Sequence, residues 1–209
     1  PGSVAVRQVS CSWHGTAVVL ESLDRVFAVG TALVGQHNAM NIAAACATAL
    51  SLGIPIPAIQ QGLERMAPVP GRLEPMANEL GLHLVIDFAH TADALQQALM
   101  SVRELVRGRL IVVFGCGGDR DQTKRPQMGR VASRLADAVI LTSDNPRSEQ
   151  PLEILQQIRA GFAPEFHESQ VIVDREQAIA SALSMARPDD AVLIAGKGHE
   201  AYQLFDNVA

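Results

Sequence analysis

The chain has 209 residues, 48% of them hydrophobic and 19% charged, with mean hydropathy +0.14, which excludes a disordered chain and leaves enough apolar residues for a sizeable core. A formal net charge of −5 and a pI near 5.7 exclude the basic footprint that duplex nucleic acid requires. Cys11, Cys46 and Cys116 form no paired motif of the zinc or disulfide type, and no run approaches the ~18 apolar residues of a membrane span, so no membrane is implicated and a reducing cytoplasm fits best.

Val4 to Val34 carries short apolar runs broken by Gly15, Gly30 and Gly35, a rhythm of strands and turns. His37 to Leu52 is alanine-rich and predicts a helix, with Gly53 as its C-terminal stop. Pro57 opens a second helix over 58–66, proline being tolerated in the first turn. Ala67-Pro-Val-Pro-Gly71 can continue no helix and separates two regions of different rhythm, which divides the chain into residues 1–68 and 69–209.

Beyond the divide, apolar runs at Leu82–Phe88, Leu110–Phe114, Ala138–Thr142, Val171–Val173 and Ala191–Ala195 alternate with helix-length segments at 91–106, 126–136, 151–162 and 175–186. Continuous apolar runs of that length predict strands buried on both faces, so residues 69–209 read as a doubly wound α/β domain with a mostly parallel sheet. In such a sheet ligands bind beyond the carboxyl ends of the strands. The polar groups collect there: Asp87-Phe-Ala-His90, Gly115-Cys-Gly-Gly-Asp-Arg120, Asp144-Asn145-Pro-Arg147 and Gly196-Lys-Gly-His-Glu200 follow successive runs.

The glycines at 115–118 can bring backbone N–H groups to an anion, or they can serve tight packing of a strand-to-helix turn. Arg120 offers a planar fork for a carboxylate or phosphate, or pairs at the surface with Asp119 or Asp121. Asp144, Asn145 and Arg147 combine the polar groups that a zwitterionic amino acid needs, although part of the motif also suits a cap for the helix at Pro151. The turn at Gly196 is no phosphate loop, because no Ser or Thr follows Lys197, and it could instead present carbonyls and the Glu200 carboxylate to an ammonium group. His90 matters only in company, and no hydrolase or metalloprotease motif occurs.

Taken in order, Asn38-x-x-Asn41, Pro70-Gly-Arg72, Asp87-Phe-Ala-His-Thr91, Phe114-Gly-Cys-Gly-Gly-Asp-Arg-Asp121, Lys124-Arg-Pro126, Asp144-Asn-Pro-Arg147 and Gly196-Lys-Gly-His-Glu200 resemble the muramyl ligases of peptidoglycan synthesis. The resemblance implies an ATP- and magnesium-dependent amide ligase acting through an acyl phosphate, with UDP-N-acetylmuramoyl-L-alanyl-D-glutamate as acceptor. In that family the Asp-Asn-Pro-Arg motif marks use of meso-diaminopimelate rather than L-lysine. It further implies that Arg120, Asp144, Asn145, Arg147, Gly196 and Glu200 line the amino-acid pocket, and that Asn38, Arg72, Asp87 and His90 face ATP.

Residues 1–68 would then be the tail of a central ATPase domain and 69–209 the C-terminal domain. The family's phosphate loop and magnesium ligands have no counterpart in this sequence, so the expectation is a fragment, inactive without its missing N-terminal domains. A stand-alone noncatalytic binding module, a lysine-adding ligase and a cyanophycin-synthetase-type ligase are the competing readings.

Overall fold

The computed structural model describes residues 3–22 and 25–206. The chain divides into two compact units, Pro1–Val69 and Pro70–Ala209.

In the first unit β1 (Ala5–Ser12), β2 (Gly15–Ser22) and β3 (Arg25–Thr31) form an antiparallel meander in the order β1-β2-β3. Its alternating apolar residues, Val18, Leu20, Phe27 and Val29, pack on α1 (Asn38–Ser51) and α2 (Ile56–Glu64) through Ala39, Ile42, Ala43, Cys46 and Ile59. Helix α2 begins at Ile56, two residues earlier than the proline rule predicts. Pro55 stands extended before it and Pro57 fits the first turn, where a missing N–H costs nothing.

In the second unit the described strands make a sheet of order β4-β5-β9-β6-β7-β8. The members are β4 (Glu74–Met76), β5 (His83–Asp87), β6 (Leu110–Phe114), β7 (Ala138–Leu141), β8 (Ser169–Val171) and β9 (Ala191–Ala195). All pairs are parallel except β4–β5, so the doubly wound, mostly parallel α/β fold is observed. Helices α3 (Ala92–Arg103), α4 (Lys124–Leu135) and α5 (Pro151–Arg159) pack side by side in one layer, and α6 (Arg175–Met185) crosses β6, β7 and β9. Ile111, Val113, Ile140, Val192 and Ile194 meet Ala178 and Ala182 of α6, and the alternate residues Leu110, Val112, Phe114, Val139 and Leu193 are buried on the opposite face.

Two strands depart from expectation. Short β4, Glu-Pro-Met, has no apolar run to announce it and owes its form to antiparallel pairing with Leu84–Ile86. Strand β8 starts at Ser169, before the apolar Val171–Val173, because its parallel ladder with Val139–Leu141 sets its limits.

The last strand, β9, sits between β5 and β6 and pairs with both. The connections from β5 onward run in one direction across the sheet, and α6 brings the chain back. Such a reversal opens a crevice at the carboxyl ends of the strands, where all four polar segments lie. No helix of the described residues is long and apolar enough to cross a membrane.

Candidate functional site

Each segment after a strand is shaped by close backbone approach. A Cβ at Gly115 would run into the Thr142 carbonyl and one at Gly118 into the Pro146 carbonyl, so the loops after β6 and β7 are in contact through their main chains. Gly71 and Gly198 have φ of 69° and 51°, and a Cβ at Gly71 would lie 2.7 Å from the Gly198 Cα. The glycine of Pro70-Gly71-Arg72 therefore seats the start of this unit on the turn after β9.

A buried framework holds these loops. Arg125 on α4 is 0% exposed and grips Glu149 by two parallel bonds of 2.8 Å, while it also donates to Gln157 Oε1 and the Gly117 carbonyl. Hydrogen bonds from Arg125 hold the Glu149 carboxyl below its ordinary value, against the cost of burial. Glu149 also accepts the Asp119 N–H at 2.6 Å, and Asp119 in turn accepts from the Ser148 hydroxyl at 2.7 Å.

Above that framework a cavity of about 270 Å³ is lined by Phe88, His90, Gly117, Arg120, Lys124, Asp144, Asn145, Arg147, Gly196 and Glu200. It brings together every residue expected in an amino-acid pocket, and His90 from the expected nucleotide set. Arg120 donates only to the Asp119 carbonyl at 3.1 Å, and among the described residues no carboxylate pairs with it. Asp121 is occupied elsewhere, accepting from the Thr123 hydroxyl and N–H, which holds its carboxyl below the ordinary value.

Arg147 has φ 53°, a left-handed conformation rare for a residue with a side chain. The surroundings over-determine it: its N–H donates to Leu204 O, its carbonyl accepts from Asp206 N, and its guanidinium donates to Gly118 O at 2.8 Å. Among the described residues no carboxylate neutralises it. Asp144 is the counterpart, 8% exposed, and its side-chain carboxylate accepts no hydrogen bond from any described residue. A side chain at Gly196, where φ is 105°, would press on Asp144 Oδ2.

Two residues that the motifs contained were missed as members of the site. Lys124 lines the cavity and donates to the His90 carbonyl at 2.7 Å. Lys197, 6% exposed, donates to Asn145 Oδ1 at 3.0 Å and Glu200 Oε2 at 2.8 Å, and sits 5.5 Å from the Tyr202 ring centre. Burial would raise the Glu200 carboxyl, but the bonds from Lys197 and Asn145 outweigh it and leave the group below its ordinary value. For Lys197 the signal was the burial of a glycine-flanked turn, which a comparison with phosphate loops hides.

Of the remaining expected nucleotide contacts, Arg72 is exposed and stacks its guanidinium 5.1 Å from the Phe88 ring centre. Asp87 is buried, with Oδ2 accepting from Leu73 N at 2.8 Å and Oδ1 from Ala89 N at 2.7 Å. Asn38 belongs to the first unit, where it donates to Val34 O and accepts from Asn41 at the head of α1. No three His, Cys, Asp or Glu side chains cluster as a metal site among the described residues.

Residues 71–198 match the family model described as Mur ligase, glutamate ligase domain. Over 197 residues the chain is 46% identical to a UDP-N-acetylmuramoyl-L-alanyl-D-glutamate--2,6-diaminopimelate ligase of Geobacillus kaustophilus, covering 94% of this chain and 38% of that one. A solved structure of a ligase with the same name superposes with a TM-score of 0.69 at 38% identity, covering 99% of this chain and 42% of that one. A folylpolyglutamate synthase of Mycobacterium tuberculosis, complexed with ADP and AMPPCP, superposes at 0.75 with 22% identity, covering 93% and 45%, which speaks for the fold alone. The chain spans about two fifths of the length of the curated relatives it matches.

Proposed function

The chain belongs to the Mur ligase family, and on that premise we propose that it supplies the amino-acid site for ATP-dependent addition of meso-diaminopimelate to UDP-N-acetylmuramoyl-L-alanyl-D-glutamate in the cytoplasm. The observation that carries this reading is the unmatched charge in one cavity. The Asp144 carboxylate is buried without a hydrogen-bond donor among the described residues, beside the unneutralised guanidinium groups of Arg120 and Arg147.

Diaminopimelate has two carboxylates and two ammonium groups. A cavity with Arg120, Lys124 and Arg147 for the former and Asp144 and Glu200 for the latter matches it in sign and kind. L-lysine has a single carboxylate and would leave one of these guanidinium groups without a charged partner in the cavity. This favours the diaminopimelate reading over a lysine-adding ligase.

In the proposed reaction the side-chain carboxylate of D-glutamate takes the γ-phosphoryl group of ATP and releases ADP. The amine of diaminopimelate then attacks the acyl carbon, and phosphate leaves with the oxygen as the amine loses its proton. The residues of this chain contribute position and charge, which is much of what such transfers need. Gripping both carboxylates and one ammonium group leaves the other amine as the nucleophile, directed at the acyl carbon.

Arg72, His90 and Asn38 are the proposed contacts to ATP. Asp87 serves them indirectly, because both its oxygens are spent on Leu73 N and Ala89 N, which set the chain beside Arg72 and His90. Magnesium would neutralise phosphate charge, but the described residues offer no cluster to hold it.

Titration of the 209-residue chain by heteronuclear NMR tests the reading. Meso-diaminopimelate should shift resonances of the 115–120, 143–147 and 196–200 loops. Arg147→Lys keeps the charge but loses the fork, and should weaken that binding roughly tenfold to a hundredfold while leaving L-lysine unaffected. Equal losses for both amino acids would make Arg147 a structural residue.

A further inference from the structure

Asn145 has a carboxamide whose orientation the surrounding donors dictate. Its Oδ1 receives two hydrogen bonds, from Lys197 Nζ at 3.0 Å and from Leu204 N at 3.0 Å, and both of those groups can only donate. Rotating the amide by half a turn would set an NH2 group against two donors. The NH2 end is therefore fixed on Glu200 Oε2 at 3.1 Å, the same oxygen that Lys197 contacts at 2.8 Å.

The three side chains form a closed triangle. Lys197 and Asn145 are both buried, at 6% and 5% exposure, and Asn145 and Glu200 form part of the cavity wall. Every hydrogen bond that the Glu200 carboxylate accepts from described residues falls on Oε2. Gln203 reinforces the arrangement by donating to the Ser143 and Asp144 carbonyls at 3.1 and 2.8 Å, which ties down the chain on either side of Leu204 and Asn145.

We propose that Lys197 is a positioning residue: it locks Asn145 and Glu200 into one unit that presents Glu200 Oε1 as the acceptor for an ammonium group of the amino-acid substrate. This rests on the substrate reading above and adds a consequence to it. Asn145 does not receive the substrate's ammonium on its carbonyl oxygen, because Lys197 and Leu204 already occupy that atom. Lys197 touches no substrate; its effect reaches the cavity only through Asn145 and Glu200.

A double-mutant cycle read by NMR titration with meso-diaminopimelate tests this, using the wild-type chain, K197M, E200Q and the double variant, with thermal melts to establish that each is folded. K197M alone and E200Q alone should each weaken binding about tenfold or more, the loss expected for a charge-assisted hydrogen bond. Because one acts through the other, the double variant should bind within about threefold of E200Q. In K197M the side-chain NH2 resonances of Asn145 should also move toward their values in an unfolded peptide. If K197M does not fold, K197Q takes its place and is read by its coupling to E200Q alone, since its shorter, uncharged side chain removes the ion pair with Glu200.

Losses that multiply in the double variant, or Asn145 resonances that stay in place, overturn the proposal while leaving the substrate reading intact. A wild-type chain that shows no shifts with meso-diaminopimelate overturns the substrate reading, and this inference falls with it.

Discussion

The two ends of the parallel sheet are charged alike and use their charges differently. At the amino ends the ions are closed against one another. Asp190, before β9, accepts from Arg109 N at 2.7 Å, from the Arg109 guanidinium at 3.0 Å and from Arg187 N at 3.0 Å. Asp137, before β7, binds Arg103 and Leu110 N at 2.8 and 2.7 Å. At the carboxyl ends only the lower layer is closed, as Arg125–Glu149 and Lys197–Glu200, and Arg120, Lys124, Asp144 and Arg147 above it have no opposite charge bonded to them among the described residues. Closed ions define a scaffold, and open ones in a cavity leave their partners to be supplied by a ligand.

The largest effect should come from breaking the closed layer where it is driest. Arg125→Ala leaves Glu149 without its partner and frees the Gly117 carbonyl, and should cost about 3–5 kcal/mol in urea unfolding. A loss under about 1 kcal/mol would mean that this pair contributes no more than a surface salt bridge. Asp190→Asn at the opposite end should cost less, about 2–3 kcal/mol, because Arg109 is partly exposed.

That second loss has a pH signature. Burial opposes ionisation of Asp190, but the hydrogen bonds from Arg109 and Arg187 outweigh it and leave the folded carboxyl below its ordinary 3.8. A depressed folded value contributes stability that is fully present above 3.8 and fades as pH falls through the lower folded value. The gap in melting temperature between wild type and D190N should therefore be constant from neutrality down to about pH 4 and shrink below it. A gap that widens on acidification would contradict the assignment.

The smallest effect on stability should come from the open layer. Arg120→Ala should change unfolding by no more than about 0.5 kcal/mol, as surface substitutions do. It should nonetheless weaken meso-diaminopimelate binding roughly tenfold, so stability and binding separate. A destabilisation comparable to D190N would place Arg120 with the scaffold and erase the contrast between the two ends.

The sequence carried this contrast unevenly. Strands β6 and β9 could be read to the residue, because five consecutive apolar residues buried on both faces have no other use in a chain this polar elsewhere. Strand β4 was illegible, being three residues long and held only by its neighbour. The open layer was legible because charges following an apolar run have few structural reasons to be there. The closed layer was not: Arg125 reads as one basic residue among several, and only the structure reveals that it is wholly buried against Glu149. Asp87 is read as a nucleotide contact from the resemblance of its motif, and its oxygens also hold two loops in place, a use that leaves no local pattern.

The position of β9 bears on how the molecule comes to exist as it leaves the ribosome. Until residues 191–195 emerge, β5 and β6 have an unfilled slot between them and each offers a bare row of N–H and C=O groups to it. Synthesis proceeds from the amino end at ~5–20 residues per second, so the earlier part of this unit must remain open, its apolar strands uncovered, for several seconds. Pairings between residues 83–87 and 191–195 are far apart in sequence, and closing such loops is slow. The same five residues complete the core and carry Lys197 and Glu200 into place immediately afterward. Completion of the fold and assembly of the ligand cavity are thus one late event, and a nascent chain halted before Ala191 should be a client for chaperones with neither a finished sheet nor a site.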